Sequence, residues 1–584
     1  MNKEWSLDVL YKGFDDETYI VEKEALVKQT KEICEFSEGL NHQKKDEETL
    51  IKAIEKLEQY QLLSTKLIYY VTLRISVNTS DSVTVNESNA IERQVSMSTK
   101  PLAGIYKFIA GYDKIEDYYE KFPKVKEYSF LISEIKKEAK HLLNDDVEDV
   151  IAKLNISAGS AWGSMQSFLT STLEVEYKGD IITLSEVRNL AHSEDPQVRK
   201  DAYHAELTAY EKIKDAVSYS LNNIKTQVNT ICELRGYQSP LELTLNQSKM
   251  KKETLEAMLE AIRESLPSFH KYLRHKAKLM GHQGALPWYD LFAPIGESNK
   301  KFTTEQSKEY LVKHFRGFSQ DLADMVEEAY DNDWIDFYPK KGKVGGAFCE
   351  NLPFVKQSRI LTNFTGSLND VVTLAHELGH AYHGLNIQDH LPLNFDYSMP
   401  VAETASTFNE GIIMEAAIKD AQGNEKIALI ESQLQDVTQI ICDIYSRYLF
   451  ESNVFEKSKS GFLFADDLNQ MMLEAQKQAY GDGLDQSTLN PYMWVVKGHY
   501  YSEHLSFYNF PYAFGGLLAR GLYEKYKQEG EAFVPKYKKL LKATTVMCVE
   551  DAAKQADINL EEEGFWKTSL KTVENLIDEF IKLS

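Results

Sequence analysis

Several features that would place this chain in a familiar class are scarce or missing. Its 584 residues hold only five cysteines, Cys34, Cys232, Cys349, Cys442 and Cys548. They are scattered, odd in number and never spaced Cys-x-x-Cys, which argues against a disulfide scaffold and against a thiolate metal site. A basic excess is also lacking: 66 Lys and Arg face 89 Asp and Glu, for a formal net charge of −23. No surplus of cations is available to displace counterions from phosphates, so a nucleic-acid partner is not expected. The acidity favours solubility and tilts any electrostatic preference toward cationic ligands. No run of about 18 consecutive apolar residues occurs, and no membrane span is expected. The first residues, Met1 to Asp8, carry neither a long apolar stretch nor a small-residue cleavage signature. The expectation is a soluble cytoplasmic protein.

What is present is a globular composition, 43% apolar and 11% aromatic, enough to fill a sizeable core. Helical periodicity dominates. From Glu47 to Tyr70, Leu50, Ile54, Leu57 and Tyr60 fall on one stripe at three-and-four spacing. Similar stretches cover residues 127–143, 195–234, 252–280, 304–330, 424–457 and 565–582. The fold class is therefore mainly α. Leu173 to Leu184 alternates around Gly179-Asp180 and reads as a hairpin. A second β region is expected at 345–349 and 358–364, as neighbouring strands of a small sheet. The sequence Ser193-Glu194-Asp195-Pro196 reads as a helix start. We set the regional boundary there, giving an amino-terminal helical lobe at 1–190 and a second region at 191–584, which contains the motifs described next.

Residues 376–380 read His-Glu-Leu-Gly-His. On a helix, His376 and His380 stand one turn apart on the same face and can share one small cation. Neutral imidazoles suit zinc, and Glu377 beside them can act as general base toward a water at the metal. Gly366-Ser367 supplies a turn and an N-cap, so this helix is expected to start near Leu368. A strand edge of this small sheet beside the metal motif is what an extended peptide could pair with. A catalytic zinc usually takes a third protein ligand. His383 lies on the same face but about 10 Å along the axis from His376, too far to share one ion, and is expected to pack nearby instead. Position 386 is Asn, so the metzincin pattern fails.

The better third ligand is Glu403, at the start of a second helix beyond a loop. Glu410, seven residues on, shares its face, so one carboxylate could bind metal while the other orients a ligand imidazole. Further along, His499 to Gly516 is dense in Tyr and His, residue types able to donate hydrogen bonds to a developing oxyanion. The alternative for this segment is aromatic core.

These pieces together resemble the thimet-oligopeptidase family of zinc peptidases, most closely its oligoendopeptidase F branch. The likeness rests on Phe364-Thr365-Gly366-Ser367 leading into Leu374 to His383, on Glu403-Thr404-Ala405-Ser406 with Glu410, and on Trp288 to Leu291. Gly346-Ala347-Phe348, the His504 to Gly516 segment and Asp195 to Arg199 add to it. It covers roughly residues 115 to 580. The resemblance implies one Zn2+ per chain held by His376, His380 and Glu403, with Glu377 as base. It also implies that His504 and a following tyrosine, Tyr508 or Tyr512, steady the intermediate. Tyr508 is slightly preferred, and Gly515 falls near where the thimet branch carries another tyrosine. The implied fold is two mostly helical lobes around a deep channel, which restricts substrates to short unfolded peptides. The implied activity is zinc-dependent endopeptidase cleavage of oligopeptides. An exopeptidase is the runner-up within peptidases, and a catalytically silent peptide-binding protein is the alternative outside them. Oligomeric state is not encoded in these motifs.

Overall fold

The structure, a computed structural model, describes residues 3–296 and 300–584. It is 70% helix and 4% strand, with small sheets. Two apolar cores account for the packing. One is built by Trp5 through Ile132, joined by Leu352 and Leu361; the other runs from Leu173 to Phe580.

The start signals in the sequence act as expected. Asp46 caps the helix Glu47–Val77 by accepting from the Thr49 N–H, and Asp195 caps Pro196–Tyr210 with proline at its first position. Three periodic stretches are interrupted. The stretch 195–234 is two helices, Pro196–Tyr210 and Lys214–Leu234, because Ile213 leaves helical dihedrals (φ −122°, ψ −14°) and buries its side chain. The stretch 304–330 divides into Thr304–Arg316 and Gln320–Asp331, with Ser319 fully extended between them. The stretch 424–457 runs on through a wide π turn at Gln439–Asp443.

The hairpin is present as β1 (Glu174–Tyr177) and β2 (Asp180–Thr183), but its turn is one residue earlier than expected. Lys178 and Gly179 are the two central residues, both with positive φ (54° and 92°), and Asp180 pairs with Tyr177 as part of the strand. That is the turn whose twist matches a two-residue hairpin.

The second sheet has three strands in the order β3-β5-β4: β3 (Ile335–Asp336), β4 (Phe348–Leu352) and β5 (Gln357–Leu361). Two corrections apply. The strand expected at 345–349 begins later, because Gly345-Gly346 forms a loop with Gly346 at φ +78°. The short parallel strand β3 is too brief for a periodicity to reveal it. Side chains alternate across β5, so Ile360 enters the larger core while Leu361, with Leu352 from β4, enters the amino-terminal one. The sheet is thus a wedge between the two cores, and it lies directly under the helix Leu368–Ile387.

That helix forms one wall of a cavity of about 1300 Å³. The other walls come from the helices Thr404–Asp420, Gly423–Thr438, Phe510–Glu529 and Glu563–Leu583.

Candidate metal centre

The helix Leu368–Ile387 starts where its sequence says it should. Ser367 accepts from the Asp370 N–H while the Asp370 carboxylate accepts from the Ser367 N–H, a reciprocal cap that satisfies two otherwise unpaired donors. From that fixed start, His376 and His380 fall one turn apart, with ring centroids 4.8 Å apart and Nε2 atoms 3.2 Å apart.

The chain returns to this face through a break in the next helix. Met399–Ala402 is a single turn, Glu403 departs from helical dihedrals (φ −92°, ψ 9°), and Thr404–Asp420 resumes the helix. Glu403 thus stands at the start of the second helix, as expected, and the break before that helix turns its side chain toward the histidines. Its Oε2 lies 3.3 Å from His376 Nε2 and 3.4 Å from His380 Nε2. Ser406 donates to the same oxygen at 2.8 Å and fixes the carboxylate.

This closeness needs Gly379. A Cβ at that position would sit 2.5 Å from the Ala405 carbonyl oxygen and 2.5 Å from the Ser406 Cα. Any side chain there would push the second helix, and Glu403 with it, away from the histidines. Sequence reasoning passed over Gly379, although a glycine inside an otherwise apolar helix is the signal that marks a close backbone approach.

Two imidazole nitrogens and one carboxylate oxygen, all within 4.8 Å of one another, form the one such grouping of three among the described residues. Four tetrahedral ligands at 2.0–2.1 Å from zinc stand roughly 3.3 Å apart. The three separations here, 3.2, 3.3 and 3.4 Å, fit that spacing, and the donor types are those that zinc takes.

The electrostatics suit a cation. Burial would lower the His376 pKa, but the hydrogen bond and charge of Glu410, with Glu377 and Glu403 behind it, raise it to about 9. Burial alone would raise the Glu403 pKa; the His380 hydrogen bond and the two imidazoles instead hold it near 2. Glu410 accepts from His376 Nδ1 at 2.5 Å, which fixes a proton on Nδ1 and turns Nε2 toward Glu403. Behind Glu410 stand Asp436 and Arg520 on the cavity wall. Asp436 is raised to about 6 by burial and by the charges of Glu410 and Glu431, and burial lowers Arg520 to about 10.

Glu377 lines the same cavity and is only 5% exposed. Burial raises its pKa, and the neighbouring imidazoles oppose that rise. A carboxyl with strengthened proton affinity beside a metal site is equipped to take up and release a proton. His383 packs as expected for a bystander. It is fully buried, stacks on Tyr397 at 4.2 Å and hydrogen-bonds Thr544 through Nε2 at 2.8 Å.

The hydrogen-bond-donor segment is assembled differently. Tyr508 and Tyr512 share a hydrogen bond between their hydroxyls at 2.5 Å, and Tyr508 also lies against the His499 ring. The Tyr512 pKa is raised by burial, then by Tyr508, and Glu403 contributes, which puts this phenol within electrostatic reach of the metal site. Gly515, on the same helix, brings its backbone against the glutamate: a Cβ there would lie 3.2 Å from the Glu403 Cβ. His504 is held elsewhere. Its side chain is 79% exposed, beside Glu503 at 3.2 Å and the Asn155 amide at 3.4 Å. So His376, Glu377, His380, Glu403 and Glu410 converge, Tyr508 and Tyr512 pair nearby, and His504 stands apart in this conformation.

Upstream, β4 is an edge strand, paired with β5 on one side only. Its Asn351 donates to the His380 carbonyl at 3.3 Å, tying the strand to the motif helix. Gly346 and Ala347, just before β4, line the cavity.

The chain is similar to known proteins along most of its length. Residues 189–571 match the family model described as Peptidase family M3, and residues 110–174 match one described as Oligopeptidase F. The chain is 26% identical over 489 residues to Oligopeptidase PepF of Bacillus subtilis, an alignment covering 81% of this chain and 71% of that one. It is 25% identical over 598 residues to an oligoendopeptidase F homolog of Borreliella burgdorferi, covering 99% and 96%. Among solved structures, oligoendopeptidase-F from Enterococcus faecium superposes with a TM-score of 0.70 at 19% identity, over 97% of this chain and 99% of that one. A protein of Chlamydophila abortus superposes at 0.87 with 17% identity, over 100% and 98%. At those identities the structures speak for the fold.

Proposed function

The chain belongs to peptidase family M3, and on that footing we propose that it is a zinc-dependent endopeptidase acting on short unfolded oligopeptides. The observation that carries the reading is the convergence of His376, His380 and Glu403 at zinc-ligand spacing, with the buried Glu377 on the same cavity. In this proposal the region 191–584 holds the chemistry and 1–190 forms the amino-terminal lobe.

His376, His380 and Glu403 would hold a zinc ion, which would supply Lewis-acid polarisation and a lowered pKa for water. The chain's own residues do the rest. Glu410 holds His376 in the tautomer that presents Nε2, and Ser406 holds the Glu403 oxygen. Glu377 accepts a proton from the attacking water and passes it to the leaving amine nitrogen. The hydroxyls of Tyr508 and Tyr512 donate toward the oxygen of the tetrahedral intermediate, the role the resemblance also gives to His504. The free edge of β4 aligns the peptide backbone by strand addition. A cavity of about 1300 Å³ supports an extended oligopeptide rather than a folded domain as substrate.

The reading is tested by measuring zinc content together with cleavage of an internally quenched peptide blocked at both ends. Bound zinc and cleavage that a chelator abolishes and zinc restores are expected. Cleavage confined to peptides with a free terminus would replace the endopeptidase assignment with an exopeptidase, and zinc-independent cleavage would overturn the metal mechanism.

A further inference from the structure

The tyrosine-bearing loop is held by side chains that belong to neither the metal site nor the loop itself. Three of the four residues from Ser506 to Asn509 are fastened from outside. The Ser506 carbonyl accepts from the Thr244 hydroxyl at 3.1 Å. The Phe507 N–H donates to Glu451 Oε2 at 3.1 Å. The Asn509 side-chain oxygen accepts from Arg447 at 2.8 Å, and Arg447 is itself paired with Asp443. Tyr508, between these anchors, is the one residue of the four whose side chain is left for the tyrosine pair.

Glu451 is the centre of this arrangement. Its other oxygen accepts from Lys225 at 2.7 Å, and both side chains of this ion pair are excluded from solvent. The Lys225 ammonium also lies 4.5 Å from the centre of the Phe455 ring, which packs on Phe507. Removing two full charges from water is costly, and a hydrophobic pair of the same volume often serves stability as well. A buried pair with one oxygen turned to a loop amide is better explained by what it positions. Phe507 makes that case directly, because its φ of +54° is a left-handed conformation unfavourable for a bulky side chain. The Glu451 acceptor and the ring packing against Tyr448 and Phe455 hold it there. Reversing that φ would re-aim the next residue, Tyr508, and move the start of the helix that carries Tyr512.

We propose that Glu451, charge-balanced by Lys225, is a positioning residue that sets the Tyr508–Tyr512 pair by fixing the backbone at Phe507. The inference rests on the assignment of these tyrosines to the intermediate. Glu451 touches no substrate, so its loss acts on turnover through the tyrosines.

The test uses the full-length zinc-loaded protein and the quenched peptide. Glu451→Ala is expected to lower kcat roughly ten- to hundredfold, the scale of a displacement near 1 Å, with KM changed far less and zinc content unchanged. In a Tyr508→Phe/Tyr512→Phe background the same substitution should cost less than about twofold, since the groups it positions are gone. Thr244→Val, a smaller change that leaves the ion pair intact, is expected to act in the same direction and to lose its effect in the same background. Lys225→Met/Glu451→Gln removes both charges but keeps an acceptor for the Phe507 N–H, and should retain more turnover than Glu451→Ala. Equal losses in the two backgrounds, or losses that follow zinc content, would overturn the positioning role while leaving the peptidase reading intact. Failure of the wild-type chain to show zinc-dependent cleavage would overturn that reading, and this inference with it.

Discussion

The metal helices and the tyrosine segment are positioned by opposite means. His376, Glu377 and His380 are set by the pitch of one capped helix, and Glu403 by the close contact of a second helix at Gly379. The loop from Ser502 to Asn509, which leads into the helix carrying Tyr512, has no such frame. It depends on Thr244, Arg447 and Glu451, side chains 56 to 262 residues away in sequence. A metal needs three donors fixed to within tenths of an ångström, and regular secondary structure supplies that. A group that must meet a transient oxyanion can be carried on a loop, provided something buried determines where the loop stops. Failure in the first region should therefore appear as lost metal or lost proton transfer, and failure in the second as slower turnover at full metal content.

The sharpest way to separate the two is Glu377→Gln. It should bind zinc normally and lose roughly 10²- to 10⁴-fold in kcat, measured by steady-state cleavage beside metal analysis. Turnover near wild type would remove Glu377 from the mechanism. Next in size, Tyr512→Phe and Tyr508→Phe should each lower kcat by up to about 10²-fold, the scale of one oxyanion donor, with zinc content unchanged. The account expects the larger loss at Tyr512, whose phenol is coupled to Glu403. A variant that lost zinc instead would break the distinction between the two regions. Smaller again, Glu410→Gln removes the charge that orients His376 and should weaken zinc binding about 10- to 100-fold, read by competition with a chelator.

How much of this was legible in the chain follows the same division. The motif helix could be read to its first residue, because Ser367 and Asp370 form a local cap and the histidine spacing is a local period. The Glu403 and Glu410 face could be read too, although the helical break that turns Glu403 toward the histidines could not, since Pro400 marks the start of the preceding turn and not the break itself. The π turn at Gln439–Asp443 and the two-residue strand β3 left no period to detect. The anchors of the tyrosine loop were invisible for a different reason. A lysine and a glutamate 226 residues apart look like two solvated helix positions until the fold buries them together.

Outside both regions, a pH effect concerns His383, which the spacing argument had set aside as a ligand. Burial lowers its pKa to about 3, against about 6.5 in an unfolded chain. The unfolded state therefore binds the extra proton first. Stability from this residue is complete above about pH 6.5 and falls as pH drops toward 3, at up to about 1.4 kcal/mol per pH unit. Thermal unfolding of the chelated protein across that window should show a shallower slope for His383→Gln than for the wild type. An identical slope would mean that His383 is not held neutral by burial.

The central claim is that a carboxylate from a second helix completes the site begun by the two histidines. Zinc stoichiometry of the wild-type chain and of Glu403→Ala, after dialysis against a weak chelator, tests it most directly. The account predicts one zinc per wild-type chain and little retained by the variant. A full equivalent in Glu403→Ala would contradict it.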